Sequence, residues 1–162
     1  MDFTMDITVR PFILPVSTDS VCYLAKVEKQ PGQWVEYVID IEGLPDAFSP
    51  IFYDDYDPIV VREDFYFVNF YTLDSLLKGE HLYAPEKAMK YGWDELKQFM
   101  TEAVGVAVMD FVNKHAPHAV VAIPARPGLN KLYDQVLAEN EQKLGYNYIR
   151  RYKEWGMYVI ET

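Results

Sequence analysis

The last third of the chain, from His118 to Thr162, constrains the fold more than any other stretch. It reads as a strand, a helix and two further strands, with bounds His118–Pro124, Leu129–Lys143, Tyr146–Tyr152 and Met157–Glu161. An apolar run of seven residues next to turn residues is typical of a buried strand. Gly145 follows the helix, where glycine favours the left-handed conformation that ends a helix. This order predicts a sheet with a helix packed against it.

The middle of the chain predicts a central strand followed by a long helix. Phe65–Thr72 is apolar on both faces, which is typical of a strand covered on both sides. Trp93–Lys114 carries apolar residues at spacings of three and four, as a buried helix does. Gly105 lies inside this helix and predicts a close approach to a neighbouring backbone. We expect the central strand and His118–Pro124 to be parallel neighbours beneath this helix.

The first half of the chain predicts strands joined by turns. Ile7–Val16 contains two prolines and is expected to be an edge strand, and Ser17–Ser20 is expected to be a turn. Val21–Glu28 and Trp34–Ile41 both alternate in polarity around Pro31-Gly32, which predicts an antiparallel hairpin.

The fold class is therefore α+β, with a mixed, mostly antiparallel sheet and two main helices packed on it. Residues 1–162 form one domain, divided into N-terminal strands with an acidic loop (1–64) and a strand–helix–strand–helix–hairpin unit (65–162). One or two helical turns are expected at Thr72–Lys78.

Charge and composition exclude several classes of function. The net charge of −10 disfavours direct binding to nucleic acid, which needs clustered Lys and Arg. The single cysteine, Cys22, excludes an internal disulfide and a cysteine metal cluster, and a buried, inert thiol is expected. No apolar run is long enough to span a membrane, and the N-terminus lacks the basic region of a signal peptide. We expect a cytoplasmic protein.

An acidic loop between Gly43 and Pro58 carries Asp54, Asp55 and Asp57. The spacing does not match that of a calcium-binding loop, and no metal is expected. Two interpretations remain: a solvated loop, or a docking surface for a basic protein. The basic cluster of Arg150, Arg151 and Lys153 pairs with this loop or meets an anionic ligand.

From residue 60 onward the order of elements resembles the GNAT acyltransferase superfamily. In that family a central strand is followed by a helix, a parallel strand, a second helix and a closing antiparallel pair. The second helix of this chain starts with Leu129-Asn130-Lys131-Leu132-Tyr133, similar to the Asn and Tyr of the family, and Gly145-Tyr146 precedes the closing pair. The resemblance implies acetyl-CoA as the acyl donor and an amine as the acceptor.

The resemblance also implies roles for particular residues. Tyr133 resembles the general acid that protonates the departing thiolate, and Asn130 the residue that binds the pantetheine arm. The alternative for Tyr133 is a core aromatic residue, because it belongs to the apolar stripe of its helix. Glu63 and Asp64, just before the central strand, are candidate bases for the amine, and exposed charges at the start of a strand are the alternative.

The stretch Lys87–Trp93 departs from the family. It stands where the family has a glycine-rich loop for the pyrophosphate, and it contributes Lys87, Lys90 and Gly92 as candidate cofactor-binding residues. Tyr91 and Trp93 are bulky, and Asp94 and Glu95 bring negative charge to the start of the helix, which opposes a phosphate. Two functions stay open: an N-acyltransferase, or a non-catalytic acidic protein of the inhibitor, immunity or phage accessory kind.

Overall fold

The structure is a computed structural model that describes residues 4–13, 20–80 and 85–162. Its strands are β1 Asp6–Phe12, β2 Val21–Gln30, β3 Gln33–Gly43, β4 Phe65–Thr72, β5 Ala119–Ala122, β6 Asn147–Ile149 and β7 Tyr158–Glu161. Its α-helices are α1 Pro58–Asp64, α2 Leu73–Leu77, α3 Trp93–Phe99, α4 Gly105–His115 and α5 Asn130–Leu144. Short 3₁₀ turns lie at Ser49–Phe52, Lys87–Met89, Pro127–Leu129 and Arg150–Trp155.

The described strands form one seven-stranded sheet in the order β1-β2-β3-β4-β5-β7-β6. Neighbouring strands are antiparallel except β4 and β5, which run parallel with Phe65 opposite Ala119 and Val68 opposite Ala122. The predicted mixed, mostly antiparallel sheet and the predicted parallel neighbours are therefore confirmed. A parallel pair requires a crossover, and α3 and α4 supply it.

The N-terminal predictions are also confirmed where the structure describes them. β2 and β3 pair around Pro31-Gly32, and Gly32 has a φ of +82°, which a glycine adopts without steric cost. β1 lies at the edge of the sheet and contains Pro11, which cannot donate to a ladder. Residues 14–19, which include the end of the expected edge strand and most of the expected turn, lie outside the described residues.

Apolar side chains cover both faces of the sheet. The first face carries the larger core, in which β2, β3, β4, β5 and β7 pack against α3, α4 and α5. The second face carries a smaller core around Phe52, Val61, Phe65 and Tyr152, which the segment from Leu44 to Asp64 and the turn Arg150–Trp155 cover. Side chains of β4 point to both cores, as expected for a strand. Val68 and Phe70 belong to the larger core, whereas Phe65 and Phe67 belong to the smaller one. The two predicted main helices therefore pack on one face.

The long helix is continuous from Trp93 to His115 but contains a π-helical turn at Met100–Val104. At the end of that turn, the Gly105 amide bonds to the Met100 carbonyl, five residues earlier. A Cβ at Gly105 would lie 3.1 Å from that same carbonyl oxygen. The close approach predicted for Gly105 is thus present, but the expectation of a neighbouring element was wrong, because the helix's own backbone makes the contact.

Other boundaries needed correction. The sequence reading ended the acidic loop at Pro58 and missed α1, which begins there with the Asp57 side chain accepting a hydrogen bond from the Ile59 amide at 2.8 Å. The strand expected at Tyr146–Tyr152 ends at Ile149, because a 3₁₀ turn follows. The helix expected to end at Lys143 ends at Leu144, and Gly145 is left-handed as predicted. No described helix is both long and apolar enough to cross a bilayer.

Candidate functional site

The parallel pair separates halfway along β4. Val68 and Ala122 are the last residues that pair, and β5 ends there. β4 continues to Thr72 and remains paired with β3 on its other side. Among the described residues, the segment Asn69–Thr72 therefore has no strand partner on the β5 side.

Tyr133 lies on α5 above this separation and is 6% exposed. Tyr133 belongs to the buried stripe of α5, together with Leu132 and Val136, and its ring faces the sheet. There it meets Tyr158 of β7 edge to face, with ring centroids 5.6 Å apart. Burial raises the pKa of the Tyr133 phenol far above its usual value, so the group stays protonated at neutral pH.

Neither Tyr133 nor Tyr158 has a hydrogen-bond partner among the described residues, although both are more than nine-tenths buried. In the described part of the chain, every polar side-chain atom cut off from solvent is hydrogen-bonded. The two hydroxyls are therefore not cut off from accessible space. Each residue lines the same cavity beneath the helices.

Comparisons of the chain with protein-family models, with curated proteins and with solved structures find no match. The functional argument therefore depends on the geometry of the chain itself.

Asn130 lies one helical turn before Tyr133, but the two candidates line different spaces. Asn130 lines an open surface basin. The other residues of this basin are Lys131, Asp134, Arg150, Arg151, Lys153, Glu154 and Tyr158. Tyr158 thus separates the charged basin from the apolar cavity, since it lines both.

Three of the four cations of the basin are paired with carboxylates, whereas Lys131 has no carboxylate partner among the described residues. Arg150 pairs with Glu141 at 3.1 Å and Lys153 with Asp134 at 3.3 Å. Arg151 pairs with Asp55 of the acidic loop, as one of the two sequence interpretations expected. The hydrogen bond from the Tyr148 hydroxyl and the nearby Lys153 hold the pKa of Asp134 below its usual range, which makes Asp134 a poor base.

The start of α3 carries the other cofactor-binding candidates. The Gly92 amide donates to the Glu95 carboxylate at 2.9 Å, and Glu95 also pairs with Lys29 at 3.1 Å. The ammonium of Lys29 donates further to the carbonyls of Met89 and Lys90 at 2.9 and 3.0 Å. A phosphate at the start of α3 would need the Gly92 amide and a nearby positive charge. The Gly92 amide and the Lys29 ammonium are already bound to the Glu95 carboxylate.

Lys87 and Lys90 are exposed near the start of α3, and Lys90 has a left-handed backbone. Tyr91, which replaces a small residue of the family loop, has a structural role: its hydroxyl lies 2.8 Å from that of the fully buried Tyr37. The Glu86 amide donates to the same Tyr37 oxygen at 3.1 Å. These bonds fix the connector against β3.

Glu63 is separated from Tyr133. It is exposed on α1, and α1 packs through Val61 on the second face of the sheet, whereas Tyr133 belongs to the core of the first face. The structure therefore does not bring the candidate base and the candidate acid together.

The acidic loop is partly used inside the fold. Asp55 accepts hydrogen bonds from the fully buried Tyr152 and from Arg151, and Asp57 caps α1. Asp54 is exposed and makes neither a hydrogen bond nor an ion pair with any described residue. Of the three aspartates, only Asp54 presents a carboxylate without an internal role.

The remaining reactive side chains are structural. Cys22 is buried as predicted, and burial together with Asp40 raises the pKa of its thiol to about 11. His118 stacks on Phe65 and His115 on Phe111, while His81 lies outside the described residues. Among the described residues no group of three His, Cys, Asp or Glu side chains is placed to hold a metal ion.

The sequence reading missed Tyr158. The sequence analysis does not single it out, and nothing in the sequence indicates that its hydroxyl lacks a partner among the described residues. That property depends on which side chains of α5 and β7 meet.

Proposed function

We propose that the protein transfers an acyl group from a coenzyme A thioester to an amine, with Tyr133 as the proton donor. The observation that carries the proposal is the buried Tyr133 hydroxyl without a hydrogen-bond partner, beside a parallel strand pair that separates at Val68 and Ala122. The hydroxyl is not cut off from accessible space, so a ligand in the cavity can accept its hydrogen bond.

The chemistry follows from the placement of the phenol. The amine nitrogen attacks the thioester carbonyl carbon, a C–N bond forms, and the C–S bond breaks. The Tyr133 hydroxyl donates to the departing sulfur and its proton moves to the thiolate. The proton lost by the amine returns to the phenolate or passes to water, so the products are an amide and the free thiol. The phenol is protonated at neutral pH, so it carries a proton that it can donate.

The order of elements supports the proposal as well. A central strand, a helix, a parallel strand, a second helix and a closing antiparallel pair follow one another, as in the GNAT superfamily. The internal bond from Gly92 to Glu95 opposes a pyrophosphate at the start of α3. The proposal therefore assigns a position only to the thioester end of the donor, at Tyr133. The phosphates of the donor either displace Glu95 or bind elsewhere.

Isothermal titration with acetyl-CoA tests the proposal. We expect saturable heat that is retained in Tyr133→Phe, together with transfer to an amine that is lost in that variant. Titration of free CoA serves as a control for affinity from the nucleotide end. Absence of heat at high micromolar acetyl-CoA would end the proposal.

A second candidate function is the capture of a basic protein at the acidic loop. Asp54 favours this function, because it is exposed and has no partner among the described residues. The neighbouring Tyr53 is 43% exposed and adds apolar contact area. Asp55 and Asp57 are unsuitable for neutralisation, since both have internal roles. We expect Asp54→Asn, but not the matched Asp6→Asn on the exposed side of β1, to release proteins captured from a lysate at low salt. An identical captured set for wild type and Asp54→Asn would exclude this function.

A further inference from the structure

A cavity of about 90 Å³ lies between the long helix and α5, above β4, β5 and β7. Its lining is almost entirely apolar. Val68 and Ala122, the last paired residues of the parallel strands, form part of its floor. The cavity therefore begins where β4 and β5 separate, next to the proposed position of the thioester.

The cavity opens between the two helices. Thr101, Gly105 and Met109 of the long helix line it and are partly exposed. Leu137, Asn140 and Leu144 line it from α5 and are also partly exposed. An apolar space that reaches solvent is not explained by packing alone, because protein interiors are filled to near the density of organic crystals.

The π-helical turn contributes to this space. Met100, Thr101 and Val104 of the turn line the cavity together with Gly105. A π turn widens the helix by one residue, and such turns are frequent at functional sites. The irregular helix segment and the cavity thus coincide.

Two hydroxyls at the cavity supply the polar contacts. Tyr133 and Tyr158 are 6% and 4% exposed and have no partner among the described residues. Tyr146, which lines the same cavity, differs because its hydroxyl donates to the Leu137 carbonyl at 2.6 Å. An oxygen or sulfur acceptor carried by a ligand would satisfy the first two hydroxyls.

The geometry points to this cavity as the binding site for the hydrocarbon chain of a short acyl group, about four carbons long, whose thioester lies at Tyr133. The inference rests on the proposed function and specifies its donor. A cavity of about 150 Å³ binds benzene, with six carbons. The smaller space here therefore takes roughly four carbons.

A chain-length series measured by isothermal titration tests the inference. Each buried methylene contributes about 0.8 kcal/mol, or roughly fourfold in affinity. Butyryl-CoA should therefore bind about 15-fold tighter than acetyl-CoA, and decanoyl-CoA should add no comparable gain per carbon because the cavity is full. Val136→Phe, which fills the cavity, should abolish the difference between butyryl-CoA and acetyl-CoA.

Controls separate the possible outcomes. Val106→Phe makes the same change on the exposed side of α4 and should keep the 15-fold preference, since Val106 is 48% exposed. Ala122→Leu fills the cavity from the strand side and replaces Val136→Phe if that variant does not fold. Equal affinity for acetyl-CoA and butyryl-CoA in the wild type would overturn the inference and leave the proposed function standing. Binding of neither thioester would overturn both.

Discussion

Tyr133 and Tyr146 line one cavity, but among the described residues only the Tyr146 hydroxyl has a partner, the Leu137 carbonyl at 2.6 Å. Both residues are 6% exposed, so the overall burial of the residues does not explain the difference.

This difference predicts opposite effects of two Tyr→Phe substitutions. Tyr133→Phe should leave the free energy of unfolding within about 0.5 kcal/mol, because no hydrogen bond is lost, and should lower the rate of acyl transfer about 100-fold. Tyr146→Phe should cost about 1 kcal/mol of stability, since the Leu137 carbonyl loses its donor. Urea unfolding and a thiol-release assay measure the two quantities. A rate unchanged by Tyr133→Phe would remove the acid role.

The stability should fall steeply above about pH 10. Burial raises the pKa of the Tyr146 hydroxyl to about 12, and it raises those of Tyr37 and Tyr133 as well. A group with a raised pKa in the folded state keeps its full stabilising effect below its unfolded pKa of about 10 and loses it as the pH rises toward the folded value. Each such tyrosine then removes about 1.4 kcal/mol per pH unit.

Tyrosinate absorbance and circular dichroism followed in one alkaline titration test this pH dependence. We expect ionisation of most tyrosines to coincide with loss of the fold. Complete ionisation near pH 10 in a protein that is still folded would contradict the burial of these hydroxyls.

Gly105→Ala should destabilise the protein. In a regular helix this change stabilises by about 1 kcal/mol. Here the added Cβ would lie 3.1 Å from the Met100 carbonyl oxygen, so we expect a net loss of about 1 kcal/mol in the free energy of unfolding. Gly128→Ala, where no atom lies within 4 Å, is the control and should be close to neutral. A gain in stability for Gly105→Ala would show that the π turn converts readily into α-helix.

Asp55 should matter for stability and Asp54 should not. Asp55→Asn weakens the acceptor of the buried Tyr152 hydroxyl and of Arg151, and should cost about 1–3 kcal/mol. Asp54→Asn is the matched change on the neighbouring, exposed residue and should stay within about 0.5 kcal/mol. Thermal unfolding of the two variants side by side measures the difference, and equal midpoints would mean that the Asp55 contacts contribute nothing.

Glu95→Gln decides where the phosphates of the donor lie. If they occupy the start of α3, removal of one negative charge beside the Gly92 amide should tighten acetyl-CoA binding about fivefold, from roughly 1 kcal/mol of repulsion. Glu36→Gln, on the hairpin, removes the same charge from the opposite face of the sheet and serves as the control. An unchanged dissociation constant for Glu95→Gln would place the phosphates away from α3.

Much of the fold could be predicted because local patterns and packing agreed. Phe65–Thr72 was predicted with its observed bounds, since a strand that is apolar on both faces has few other places to lie. Gly145 marked the end of α5 because its backbone is left-handed. The neighbours β4 and β5 followed from a strand, helix and strand in succession, for which a parallel crossover is the usual arrangement.

The missed features depend on tertiary contacts. α1 is seven residues long, begins within an apparent Asp-Pro loop and is held by the burial of Val61. The π turn leaves the spacing of Met100, Val104 and Val108 at four residues, so apolar periodicity does not reveal it. The bond from Gly92 to Glu95 was not anticipated, because the usual capping signature has Ser or Thr at the first position.

The central claim is that a thioester of coenzyme A lies at the separation of β4 and β5 with its sulfur facing Tyr133. A crystal structure of the protein soaked with CoA tests it most directly. The account predicts the CoA sulfur within about 3 Å of the Tyr133 hydroxyl oxygen, with the pantetheine arm beside Asn69–Thr72 and near Asn130. CoA bound at another surface, or a soaked crystal in which the Tyr133 hydroxyl gains no partner, would contradict it.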